Sequence, residues 1–191
     1  MRNRYSSRCG AAVSDPSGTQ IEGEVLYERQ KALRAQKPFP PAPQIIASQL
    51  QVPDNIGSVL RLADAAGSSH VIFISNTEID EKRIHKTARS CESFVAWEVY
   101  SLERFLHEQA AFQPLLALEI TSQSNTIFSA ALPTSCSFVI GNERHGIPVP
   151  VLSLCRQALH IPMYGTNGSM NVTHALGIAL FEWRRQQLHY E

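Results

Sequence analysis

The sequence predicts an α/β fold, a mostly parallel sheet with helices on both faces. Three observations predict it. From residue 44 onward, short apolar runs alternate with stretches of helical periodicity. The apolar runs show no polar alternation, which marks strands buried on both faces. Each pair of runs is separated by enough chain for the crossover that parallel neighbours need.

The elements follow in order. Residues 23–36, GEVLYERQKALRAQ, read as a short helix carrying Leu26, Leu33 and several charges, stopped by the proline-rich KPFPPAP. QIIASQLQ (44–51) reads as a strand and NIGSVLRLADAAG (55–67) as a helix, with Asn55 at the N-cap. Ile56, Val59, Leu60, Ala63 and Ala66 form its packing stripe. HVIFIS (70–75) is a strand, DEKRIHKTARS (80–90) a polar helix and FVAWEVYS (94–101) a strand. LERFLHEQAA (102–111) is a helix, while PLLALEIT (114–121) and CSFVIGN (136–142) are strands. A short helix over 149–157, a strand over 158–164 and a long helix over 171–189 complete the chain. We expect two parts, an arm over residues 1–43 with a short basic helix, and one domain over residues 44–191.

Composition narrows the function. Apolar residues make up 43% and charged residues 18% of the 191, which is globular material. Lys and Arg number 17, as do Asp and Glu, so any basic surface is local. Cys9, Cys91, Cys136 and Cys155 are scattered, with no C-x-x-C pair and no zinc-ligand spacing with histidine. We therefore expect free thiols, no metal site and a cytoplasmic protein, with no apolar run near the roughly 20 residues of a membrane helix. The first 14 residues contain Arg and Ser but no acid, as transit peptides do, which leaves a targeting role open.

Ligands of parallel sheets bind beyond the carboxyl ends of the strands, and three strand ends carry unusual loops. QVPDNIGS follows the first strand, GNERHGIP the fifth and GTNGSMN the sixth. Arg61 lies off the packing stripe of its helix, facing the loop side or solvent, where a solvated arginine is the ordinary outcome. Glu143 is either a surface acid or a carboxylate brought close to a ligand by the flanking glycines. Gly57 marks a close backbone approach. The first turn contains only Gly57, so the G-x-G-x-x-G dinucleotide turn is absent, as is the phosphate loop G-x-x-x-x-G-K-[ST]. His145 and His174 stand alone.

Together the loops resemble one family. N-x-G-S-x-x-R-x-A-x-x-x-G (55–67), G-N-E-x-x-G-I (141–147) and I-P-M-x-G-x-x-x-S-M-N-V-T (161–173) are similar, in order and spacing, to the three motifs of the SpoU or TrmH-type SPOUT RNA 2'-O-ribose methyltransferases. The resemblance spans residues 44–183. It implies a C-terminal trefoil knot, S-adenosyl-L-methionine as cofactor, an RNA substrate and a homodimer with the active site near the subunit interface. By the same resemblance Asn55, Arg61, Glu143, Ser169 and Asn171 are the catalytic positions. The resemblance also implies that the cofactor lies on the backbone of Leu118, Glu119, Gly141, Asn142, Ile161, Met163 and Ser169. The chain departs from the family pattern at Met170, Thr173 and the Arg144-His145 pair, none of which removes a polar group that the chemistry needs. For RNA we expect Lys82, Arg83, Lys86 and Arg89, together with the basic N-terminal arm, although a solvated helix face explains the first cluster equally well. Transfer RNA is the expected substrate. Ribosomal RNA and a non-catalytic, cofactor-binding RNA chaperone are the alternatives.

Overall fold

The computed structural model describes residues 18–36, 39–77, 79 and 81–188, apart from the side chains of residues 81–83. Residues 1–17, 37 and 38 of the arm, and the side chains of Lys82 and Arg83, therefore lie outside the described residues. The chain divides into two units, Met1–Pro40 and Pro41–Glu191. The first contains α1 (Gly23–Gln36), none of whose side chains is buried.

The second unit is a seven-stranded sheet. In chain order its elements are β1 (Gln44–Ser48), α2 (Pro53–Ala66), β2 (His70–Ile74), α3 (Glu81–Ala88), β3 (Ala96–Tyr100), α4 (Leu102–Glu108), β4 (Leu115–Leu118), β5 (Asn125–Thr126), β6 (Ser137–Ile140), α5 (Val149–Leu152), β7 (Gln157–His160) and α6 (Val172–Gln187). The strand order is β3-β2-β1-β6-β4-β7-β5, and every neighbouring pair is parallel. Strand β4 lies between β6 and β7, which both follow it in sequence, so the closing segment passes across it. The trefoil knot implied by the resemblance is consistent with that order.

Period-2 exposure sends alternate strand residues to opposite faces, and each face has its own core. Ile45, Ala47, Val71, Phe73, Phe138 and Ile140 pack with α2, α3 and α6, through Val59, Leu60, Ile84, Leu176, Leu180 and Trp183. Ile46, Ile72, Ile74, Val139 and Ala117 pack with Phe105 of α4 and Val151 of α5. The sheet is thus covered on both sides, as the unbroken apolar runs require.

Four details depart from the sequence reading. Helix α2 begins at Pro53, with Val52 at the N-cap, so Asn55 is the third helical residue and not the cap. Proline at the first position has its φ already set for a helix and lacks the N–H that would go unpaired there. Strand β1 stops at Ser48 because Gln49 turns into the left-handed region, at φ 55°. The chain leaves α5 after one turn and enters β7 at Gln157, so Ile161, Pro162, Met163 and Tyr164 follow the strand instead of extending it. Strand β5 has two residues, too few to register as a pattern, and adds an edge beside β7. Gly57 does mark a close approach, because a Cβ there would collide with Thr87 of α3.

Candidate functional site

The carboxyl ends of β4, β6 and β7 open onto a cleft of about 390 Å³. Its apolar surface comes from Leu118, Leu159, Ile161, Met163 and Val172, and its polar surface from Glu119, Asn142, Glu143, Ser169 and Asn171. Such a mixture, at the end of a parallel sheet, suits a ligand with a flat apolar part and several hydrogen-bonding groups.

The loop after β6 forms one wall. Asn142 and Gly146 exchange N–H to carbonyl bonds, each 2.9 Å long, closing the loop on itself. The Asn142 side chain fixes the interior, its Oδ1 accepting from the N–H groups of Arg144 at 2.9 Å and His145 at 3.0 Å. Its Nδ2 donates to the Gln49 carbonyl at 2.7 Å. The left-handed turn at Gln49 thus delivers an acceptor to the loop, tying β1 to β6 beyond the sheet.

Glu143 then reaches to the start of α2. Its carboxylate accepts from the Asn55 amide at 2.7 Å and from the N–H groups of Gln51 and Val52, each at 3.3 Å. The helix therefore receives its terminal carboxylate from a loop some 90 residues away, where the positive end of the helix dipole favours it. Burial pushes the Glu143 carboxyl up. The Asn55 amide and the backbone N–H groups outweigh this and hold it below the usual glutamate value.

Asn171 joins this web from the third loop. It is the N-cap of α6, its Oδ1 accepting from the Thr173 N–H at 2.8 Å and the Thr173 hydroxyl at 2.7 Å. Its Nδ2 donates to Asn55 Oδ1 at 3.2 Å. Asn55, only 5% exposed, thus links Glu143 to Asn171, and one chain of side-chain bonds joins all three loops.

Of the residues singled out in sequence, Leu118, Glu119, Gly141, Asn142, Ile161, Met163 and Ser169 all line the cleft. Glu143 and Asn171 line it as well, and Asn55 stands behind them. Arg61 does not line it. That residue is exposed on α2, six residues beyond Asn55 and so about 9 Å farther along the axis. Lys86 and Arg89 are exposed, at the end of α3 and just past it. A Cβ at Gly165 or Gly168 would meet no protein atom within 4 Å, so no contact inside the chain demands glycine at either position.

The sequence did not single out His160, the last residue of β7. It lines the cleft, and its Nδ1 lies 3.1 Å from the Ser124 hydroxyl. The strand-end rule was the available signal, but the turn bearing Ser124 precedes a strand too short to detect. Cys91, Cys136 and Cys155 are free thiols, and burial pushes the last two up to about 12. Among the described residues no cluster of His, Cys, Asp and Glu could hold a metal ion, and no helix is long and apolar enough to cross a membrane.

Comparison with known proteins agrees with this geometry. Over 146 residues the chain is 31% identical to a 23S rRNA (guanosine-2'-O-)-methyltransferase of Neisseria meningitidis, a match covering 75% of this chain and 58% of that protein. It is 25% identical to a mouse tRNA (guanosine(18)-2'-O)-methyltransferase, over 75% of this chain and 9% of the other. Among solved structures, an AdoMet-bound rRNA methyltransferase of Sinorhizobium meliloti superposes with a TM-score of 0.71 and 26% identity, covering 82% of this chain and 61% of its own. The chain thus spans less than two thirds of the N. meningitidis protein and of the S. meliloti structure. The model of the SpoU rRNA Methylase family matches residues 43–181, the whole sheet and all three loops, and the chain belongs to that family.

Proposed function

We propose that this chain is an S-adenosyl-L-methionine-dependent RNA methyltransferase that acts on a ribose 2'-hydroxyl. One observation carries the reading: the three motif loops converge on one cleft, and the Asn55–Glu143–Asn171 bonds hold them together. The residues present fit the cofactor, with apolar side chains for a purine and strand-end backbone and polar groups for its ribose and amino-acid ends. When bound, S-adenosylmethionine supplies a methyl group already activated for displacement by its sulfonium.

The chain's own residues then position the attacking hydroxyl and assist loss of its proton. Arg61 carries a guanidinium, a fork of N–H donors with no acceptor, and we assign it as a clamp on the phosphate and 2'-oxygen. It lies outside the cleft lining of its own chain. In a homodimer with the active site near the subunit interface, it serves the cleft of a second copy. Glu143 and Asn55 orient the ribose side, and Ser169 and Asn171 shape the substrate entrance. Lys82, Arg83, Lys86, Arg89 and the N-terminal arm contribute phosphate contacts. We also read residues 1–43 as an arm, residues 44–191 as the catalytic domain and the cytoplasm as its compartment.

Transfer RNA is the substrate favoured by the sequence. Ribosomal RNA is a second reading, favoured by the 23S rRNA activity of the 31%-identical relative. Mapping 2'-O-methyl sites in RNA from cells with and without the gene separates the two. Arg61→Ala should lower methyl transfer at least about a thousandfold while leaving calorimetric S-adenosylmethionine affinity within about threefold. Near-normal turnover in that variant would remove Arg61 from the mechanism. Methyl incorporation by the unaltered protein excludes the non-catalytic chaperone.

A further inference from the structure

Glu119 follows the last residue of β4, at the edge of the cleft. The family resemblance uses its backbone, yet its side chain makes two contacts of its own. Oε1 accepts from the Ile120 N–H at 3.0 Å, and Oε2 from the Ile147 N–H at 3.1 Å. The second bond crosses from the end of β4 to the far end of the loop after β6.

That loop is shaped around the carboxylate. Gly146 has φ +68°, in the region that side chains rarely adopt, and a Cβ there would stand 2.5 Å from Glu119 Oε2. Residue 146 is thus kept small by its backbone conformation, and a side chain there would displace the Glu119 carboxylate. The loop's other attachments run toward β1 and α2, through Asn142 to Gln49 and through Glu143 to Asn55. The Ile147 bond runs the opposite way, toward β4, which flanks β6 on the side away from β1.

We propose that Glu119 is a positioning residue for the cofactor cleft, its carboxylate setting the separation of the β4 and β6 loops by holding the Ile147 N–H. This rests on the cleft being the S-adenosylmethionine site. Holding Ile147 takes one acceptor oxygen; glutamine keeps one at the same reach and gives up only the local bond to the Ile120 N–H, whereas alanine keeps none.

The test compares Glu119→Ala and Glu119→Gln in the full chain. Without cofactor, amide exchange at Ile147 and its loop neighbours should quicken about tenfold in the alanine variant and stay within about threefold in the glutamine variant. Calorimetry with S-adenosylmethionine should show affinity weakened about tenfold for alanine and recovered to within about threefold by glutamine. Unchanged loop exchange in the alanine variant overturns the proposal. So does a glutamine variant as impaired as alanine, which would assign the charge itself to ligand contact. If the unaltered protein binds no S-adenosylmethionine, the proposed function fails, and the exchange measurement still decides the role of Glu119. Should the alanine variant not fold, the glutamine variant decides alone, and tenfold weaker affinity in it overturns the proposal.

Discussion

At its first turn α2 is held by Glu143, an exposed carboxylate that reaches over from the loop after β6. At its last turn it is held by Arg184 of α6, which is 8% exposed and whose Nε donates to the Ala66 carbonyl at 2.7 Å. Both charges have the sign that the helix dipole favours at that end. Their surroundings differ. The Arg184 guanidinium sits 5.1 Å from the Trp183 ring centroid and against Gly67, whose φ of 77° closes the helix. Around it α6 is tied to the 130–133 loop, by the Trp183 indole N–H to the Pro133 carbonyl at 2.8 Å and by Gln186 to the Ala130 carbonyl at 3.0 Å. One end of α2 is therefore buried and fixed by packing. The other ends in polar groups beside the cleft, with Glu143 and Asn171 exposed and Asn55 buried between them.

The largest expected effect falls at the buried end. Arg184→Ala should cost about 2–4 kcal/mol of stability in urea denaturation, since it removes packing and the donor to the Ala66 carbonyl. Cofactor affinity per folded molecule should stay unchanged. A loss below about 1 kcal/mol would show that the two ends are not differently built.

Glu143→Gln should reverse this pattern. Stability should fall by about 1 kcal/mol or less, while methyl transfer falls about a hundredfold through loss of the arrangement around Asn55. The same variant sharpens the comparison through pH. The folded pKa of Glu143 lies below the ordinary value of 4.5, so folding favours the ionised form. The resulting stability is present above about pH 4.5 and is lost as the pH falls through the lower folded pKa. Urea midpoints between about pH 3 and pH 6 should therefore drop less steeply with acid in the glutamine variant than in the unaltered protein. Identical profiles would remove Glu143 as the source.

Asn171→Ala should also be mild in stability beside Arg184→Ala. It removes an N-cap from α6 and a donor to Asn55, and should cost about 1 kcal/mol. Asn171→Asp keeps the cap oxygen but loses the donor. It should regain most of the stability in thermal denaturation and little of the activity, which separates the cap from the link between loops.

Much of the fold was legible because burial leaves a local periodic record. The stripe from Ile56 to Ala66 and the apolar runs at 70–74 and 137–140 each report their environment within one element. The cleft was legible as three strand-end loops, and as side chains through the family motifs. Local reading failed where the partner was distant. Asn55 looked like a helix cap because Asn commonly is one, whereas Glu143, 88 residues away, carries the capping charge and Asn55 donates to it.

By itself the sequence determined the α/β class, six of the seven strands and the helices approximately, the three loops and the family, because each is set by neighbours in the chain or by short motifs. Tertiary structure decided that β4 lies between β6 and β7 and that Arg61 stands outside its own cleft. It also decided that Glu143, Asn55 and Asn171 form one chain of bonds, and that Glu119 holds Ile147. Those contacts join residues 28 to 116 positions apart. Which distant groups meet is chosen by the packing of the whole sheet, and no local period records it.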